Sequence, residues 1–190
     1  MKTTIERTKA KELIVKSQYN RLENHKKLEI LETGYPHLDD ADDIDEFIKD
    51  GDLPQLDEEI ITIIKSKEYL RIPFHKGLDP LFIEYLMSDL YGVTNAYLAL
   101  LLNDRKGMYE VTGEIDQLGI CPCYLYHAIG YGEDGFHDIC SICFWENGGI
   151  GPNGIPLEKA QENFKNLGAM DASSLQFIDP AGKIKYKRNI

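Results

Sequence analysis

Apolar residues return at helical spacing near the start of the chain. Ile5, Leu13, Tyr19, Leu22, Leu28 and Leu31 fall on one broad face, with charges filling the rest. The pattern predicts a helix over 4–32, closed by Gly34 and Pro36. Within residues 37–52, Ile44, Phe47 and Ile48 predict a short helix that lays an apolar edge on the core. Pro54 and Asp57 open the next helix, where Ile60, Ile61, Ile63 and Ile64 are too densely apolar for an exposed element. Asp79 and Pro80 form a helix start, with Asp79 as N-cap and Pro80 in the first turn. That helix carries Leu81, Phe82, Tyr85, Leu86 and Leu90 and stops at Gly92. Ala96 to Leu102 reads as a buried helix running into the turn residues 103–107. The segment MYEVTGEI beyond it alternates like a strand.

The pattern changes near Gly119. From there to Gly154 the chain is rich in glycine, cysteine and aromatics, and its apolar residues lose periodicity. Such a segment builds little core by itself and needs a staple. A last helix follows Pro156, with Leu157, Ala160, Phe164 and Leu167 as its stripe and Gly168 as its stop. The basic tail from Lys183 to Arg188 reads as frayed or edge-strand. The expectation is an α+β protein in two parts: a mainly helical acidic domain over 1–118, and a cysteine-rich domain over 119–190 made of a small zinc-ribbon-like β-hairpin knuckle and a C-terminal helix. There is no internal repeat.

Charge alters the functional picture more than length does. The 190 residues hold 21 Lys and Arg against 32 Asp and Glu, a net charge of -11. Nucleic-acid affinity rests on Lys and Arg displacing counterions, so nucleic acid is not the expected partner. An acidic surface steers a basic partner inward, although acidity also serves solubility alone. Residues 37–52 concentrate it, with Asp39, Asp40, Asp42, Asp43, Asp45 and Glu46 as the candidate partner-binding group; a solvated acidic loop is the plainer reading. No apolar run approaches the roughly 18 to 20 residues that span a bilayer. The start MKTTIERTKAKELIVK lacks a signal-peptide apolar stretch, so a cytoplasmic location without membrane contact is expected.

In a reducing compartment, clustered cysteines favour metal over disulfides. Four stand close together, as Cys121-Pro122-Cys123 and Cys140-Ser141-Ile142-Cys143. Two residues between thiolates let a turn aim both sulfurs at one ion, and the tighter Cys121–Cys123 pair chelates if the chain bends between them. Gly130, Gly132 and Gly135 suit a hairpin that brings the pairs together. Four thiolates at about 2.3 Å close a tetrahedral zinc site and leave no position for water, which makes the site structural. Three other readings stay open. The cysteines are unmetallated core residues; the second pair is redox-active, without the βαβ context this needs; or His127 or His137 replaces Cys123 as a ligand.

The segment CPCYLYHAIGYGEDGFHDICSICFWENGG, followed by GPNGIPLEKAQENFKNLGAM, resembles the CPCC-type cysteine-rich bacterial domain. The resemblance runs through Cys121, Pro122, Cys123, Asp138, Ile139, Cys140, Cys143, Phe144, Trp145 and Glu146. It continues through Asn153, Gly154, Leu157, Ala160, Asn163, Phe164 and Gly168. It implies a zinc-ribbon-like fold. One departure stands out: the family's fourth motif residue is cysteine, and here that position is Tyr124. Phe144 and Trp145 are expected to pack the knuckle onto the helix bearing Leu157 and Phe164, with ligand stacking as the alternative. Tyr124, Tyr126 and Tyr131 form either an exposed recognition face or ordinary cross-strand packing. Glu146 is a cap or ion-pair residue, or a base beside a metal.

No Ser-His-Asp order, HExxH helix or GxGxxG strand-turn-helix is present, so catalysis is not expected. The expected function is that of a noncatalytic acidic binding protein. The resemblance points to an immunity protein that neutralises a basic bacterial toxin, such as a nuclease. The alternative is a zinc-dependent hydrolase or a zinc-ribbon nucleic-acid module.

Overall fold

Thr3, Thr4 and Ile5 are β-branched and favour extended backbone, and in the computed structural model the chain opens as strand β1, Thr3–Glu6. The structure describes residues 2–35, 38, 44–51, 53–66, 75–103, 108–121, 126–130, 137–148 and 154–188. The single helix expected over 4–32 is therefore divided. Helix α1 covers Arg7–Tyr19, the chain turns at Asn20–Glu23, and α2 covers Asn24–Glu29 before a wider π turn at Ile30–Gly34. Two long-range effects override the periodicity. Pairing with β2 holds residues 3–6 extended, and burial of Ile30 and Leu31 fixes the second half. Mixed helices and short strands make this an α+β protein.

The chain forms two compact units, Thr8–Tyr91 and the combination of Met1–Arg7 with Gly92–Ile190. In the Thr8–Tyr91 unit, α3 (Ile44–Asp50), α4 (Glu58–Lys65) and α5 (Asp79–Ser88) join α1 and α2. Their core gathers Ile30, Leu31, Leu38, Ile44, Ile60, Ile64, Leu78, Leu81 and Phe82. Ile60 and Ile64 stand one turn apart and are buried, while Ile61 and Ile63 pack at the edge of the same cluster. Asp79 falls one position later than expected: a 3-10 turn at Lys76–Leu78 makes Leu78 the cap and places Asp79 in the first turn. A carboxylate there still faces the positive end of the helix dipole. The Tyr35 hydroxyl donates to the Leu81 carbonyl oxygen at 2.6 Å inside this core.

In the other unit, α6 (Asn95–Asn103) leads into β2 (Tyr109–Thr112), as the alternation predicted. β2 pairs in parallel with β1, from Thr3 opposite Tyr109 to Glu6 opposite Thr112. Arg7 is buried beside this pair. Its guanidinium reaches Asp116 at 2.7 Å and Asn95 at 3.0 Å, which compensates the buried charge. Short strands β3 (Gly119–Ile120) and β4 (His127–Ile129) run antiparallel. A Cβ on Gly119 would collide with the Gly130 carbonyl oxygen, so only glycine permits this approach. Helix α7 (Leu157–Leu167) buries Ala160 and Phe164 and leaves Leu167 exposed. Gly168, at φ 87°, ends it in the left-handed conformation that glycine adopts most easily. A short α8 (Gly182–Lys185) follows, and Arg188 in the basic tail bridges antiparallel to Tyr126. Among the described residues, no helix is long and apolar enough to cross a membrane.

Candidate metal centre

The second cysteine pair is a self-contained turn. The Phe144 N–H donates to the Cys140 carbonyl at 2.7 Å, and the Cys140 N–H donates to the Trp145 carbonyl at 2.8 Å. An antiparallel bridge between Ile139 and Glu146 closes its base. To turn this tightly, Phe144 adopts φ 66°, a region that side chains other than glycine rarely occupy. Cys121 arrives from the end of β3, anchored where its N–H donates to the Tyr126 carbonyl at 2.8 Å. The sulfurs of Cys121, Cys140 and Cys143 then lie within 4.8 Å of one another. The Sγ atoms of Cys121 and Cys143 lie 3.5 Å apart. Thiolates bound tetrahedrally at about 2.3 Å from one ion would stand about 3.8 Å apart, so these three sulfurs already trace most of such a face.

Burial decides what the centre can do. All three cysteines are 1% exposed. Tyr126, Ile142 and Phe164 wall them in, and the enclosed space has no room for a water molecule. The Cys140 thiol is nonetheless pushed down to about 4. Hydrogen bonding from Cys121 is the main cause, with Cys143 and the backbone of Ile142 and Cys143 adding to it against the opposing effect of burial. One thiolate is thus stabilised within the trio. A buried trio of soft sulfur ligands fits a metal ion of the kind that binds sulfur.

Among the described residues, neither His127 nor His137 joins the sulfur cluster. His127 Nδ1 lies 3.1 Å from the Leu118 carbonyl oxygen. His137 Nδ1 lies 2.9 Å from Glu146 Oε1, within hydrogen-bond distance. Cys123, Tyr124 and Tyr131 lie outside the described residues. Tyr126 is buried in the cysteine cluster, as cross-strand packing requires. Trp145 is buried with Ala160 and Phe164, as expected of a residue that fixes the knuckle to α7. Phe144 instead stacks on Phe177, with ring centroids 4.9 Å apart. Residues beyond α7 also hold the knuckle. The Met170 N–H donates to the Cys143 carbonyl at 2.8 Å, and the Asp179 N–H donates to the Ser141 carbonyl at 2.7 Å. Asn163 supports the first by donating to the Met170 carbonyl at 2.7 Å. No local spacing marks Met170, Phe177 or Asp179 as partners of the cysteines.

The expected partner-binding group is only partly placed. Asp39, Asp40, Asp42 and Asp43 lie outside the described residues. Asp45 and Glu46 are exposed in the first turn of α3, and Asp45 Oδ2 pairs with Lys65 Nζ at 2.7 Å.

Residues 119–183 match the sequence model of a family described as Cysteine-rich CPCC. No curated protein and no solved structure matches the chain. Within the matched span, Cys121, Cys140 and Cys143 are placed so that they could hold a metal ion.

Proposed function

We propose that this is a noncatalytic, acidic binding protein of the cytoplasm whose cysteine-rich segment is stapled by a structural zinc ion. Cys121, Cys140 and Cys143 would supply three thiolates and Cys123 the fourth. The observation that carries the structural reading is the enclosed sulfur cluster without space for water. A hydrolytic zinc needs an open coordination position for the water it activates. Bound zinc would contribute folding energy to the segment, as it does in small metal-stapled domains.

Partner recognition falls to the acidic surface. Most of the acidic excess lies within Thr8–Tyr91, and the group from Asp39 to Glu46 is its densest part. Such a field accelerates encounter with a basic protein, and the partner of this chemistry that we favour is a bacterial toxin domain neutralised by direct binding, as by an immunity protein. Two measurements test these readings separately. Metal analysis of protein purified without added zinc should find about one zinc per chain, lost in Cys143→Ser; a full-length protein that folds stably with no metal sinks the staple. Affinity for a basic toxin encoded beside the gene should be high at low salt. Absence of binding there, or absence of such a neighbour, removes the immunity reading.

A further inference from the structure

Between β2 and β3, residues 114–118 form one wall of a cleft of about 380 Å³, with His127 and Lys187 on the other side. His127 and Lys187 are held together in the backbone, since the His127 N–H donates to the Lys187 carbonyl at 2.9 Å. The volume lies in the range of small-molecule sites. One wall is held firmly. Asp116 Oδ2 accepts from the buried Arg7 guanidinium at 2.7 Å and from the Gly92 N–H at 3.1 Å. Asn95 accepts from Arg7 at 3.0 Å and donates to the Gly113 carbonyl at 2.8 Å. Ile115 and Leu118 supply apolar surface. None of the cleft's residues is a cysteine of the candidate metal centre.

Two opposite charges line this cleft. Among the described residues, neither the Glu114 carboxylate nor the Lys187 ammonium has a hydrogen-bond or ion-pair partner, and they do not pair with each other. His127 adds a defined polar atom. Its Nδ1 faces the Leu118 carbonyl oxygen at 3.1 Å, and a carbonyl only accepts, so the proton of the neutral ring resides on Nδ1. Nε2 is then a lone-pair acceptor. A simple anion drawn to Lys187 would meet Glu114, and a simple cation drawn to Glu114 would meet Lys187. A molecule bearing both signs satisfies both.

We infer that the cleft binds a small zwitterion of the aliphatic amino-acid class. Its carboxylate faces Lys187, its ammonium faces Glu114 with His127 Nε2 as a further acceptor, and its side chain rests on Ile115 and Leu118. The proposal does not depend on the identity of a metal or of a protein partner.

Amide NMR titration of the full chain with L-leucine tests it, with isoamylamine and isocaproate as analogues that each lack one charged group. Saturable shifts are expected at residues 114–118, His127 and Lys187. Glu114→Gln and Lys187→Gln should each weaken leucine by about tenfold or more. Both side chains are exposed, so both variants should keep the unmodified spectrum elsewhere. The proposal is overturned by an absence of saturable binding, by leucine affinity unchanged in either variant, or by either analogue binding as tightly as leucine.

Discussion

Phe144 shows how one residue reports the demands of its surroundings. Its left-handed backbone closes the knuckle, and its ring is kept by the stack on Phe177. Left-handed backbone costs a residue with Cβ about 1 kcal/mol or more relative to glycine. Phe144→Gly and Phe144→Ala lose the same stack, so Phe144→Gly should be the more stable by about 1 kcal/mol in denaturant unfolding. Equal stabilities would mean that the backbone is unstrained. Tyr35 makes a second prediction in the helical core. Burial, followed by the nearby Glu84 carboxylate, raises its pKa well above the ordinary 10.0, and Tyr19 is pushed up to about 12 by burial and by Asp79. A phenol that binds its proton more tightly when folded stabilises fully below pH 10 and loses that contribution as pH rises towards the folded value. Unfolding measured from pH 8 upward should therefore show alkaline weakening, and Tyr35→Phe should flatten it while costing about 1 kcal/mol at neutral pH through the lost bond to Leu81. An unchanged alkaline slope in Tyr35→Phe would exclude this residue as a cause.

At the scale of elements, the cysteine-rich segment depends on close backbone approach. Gly119→Ala would drive a Cβ into the Gly130 carbonyl oxygen, and backbone has little room to yield. The expected result is loss of about 1 to 3 kcal/mol, with amide protection lost first at β3 and β4. Retained protection there would show that the pair adapts. The knuckle at Cys140 to Trp145 was legible in the sequence because its spacing, turn and aromatic neighbours are all local. Its outer supports were not. Met170 and Asp179 contribute backbone N–H groups, which carry no residue-specific signal, and Phe177 sits in no periodic pattern. The helix read over 4–32 failed for a related reason: apolar spacing registers a face, but not the strand pairing that recruits residues 3–6.

At the scale of the molecule, net charge is the dominant property. If a basic partner is captured as proposed, neutralising Asp39, Asp40, Asp42, Asp43, Asp45 and Glu46 to amides should mainly slow association at low salt. Dissociation should change little, and the difference should fade as the screening length falls to about 8 Å at physiological ionic strength. A change confined to dissociation would place these residues in tight contact rather than in steering. Asp45 already pairs with Lys65, and an exposed pair of this kind contributes little to stability, so its removal should leave folding intact.

Neighbours a few residues apart set most helix positions, the α6-to-β2 order and the spacing of the second cysteine pair, and composition alone set the acidity of the surface. Which distant groups meet was settled by the folded chain. It brought β1 against β2, delivered Cys121 to Cys140 and Cys143, and kept His127 and His137 out of the sulfur cluster. It also placed Glu114 and Lys187 in one cleft, each without a side-chain partner among the described residues. The physical reason is the same in each case. Backbone pairing and burial act through space and at any sequence separation, whereas periodicity and motif spacing register only the local chain.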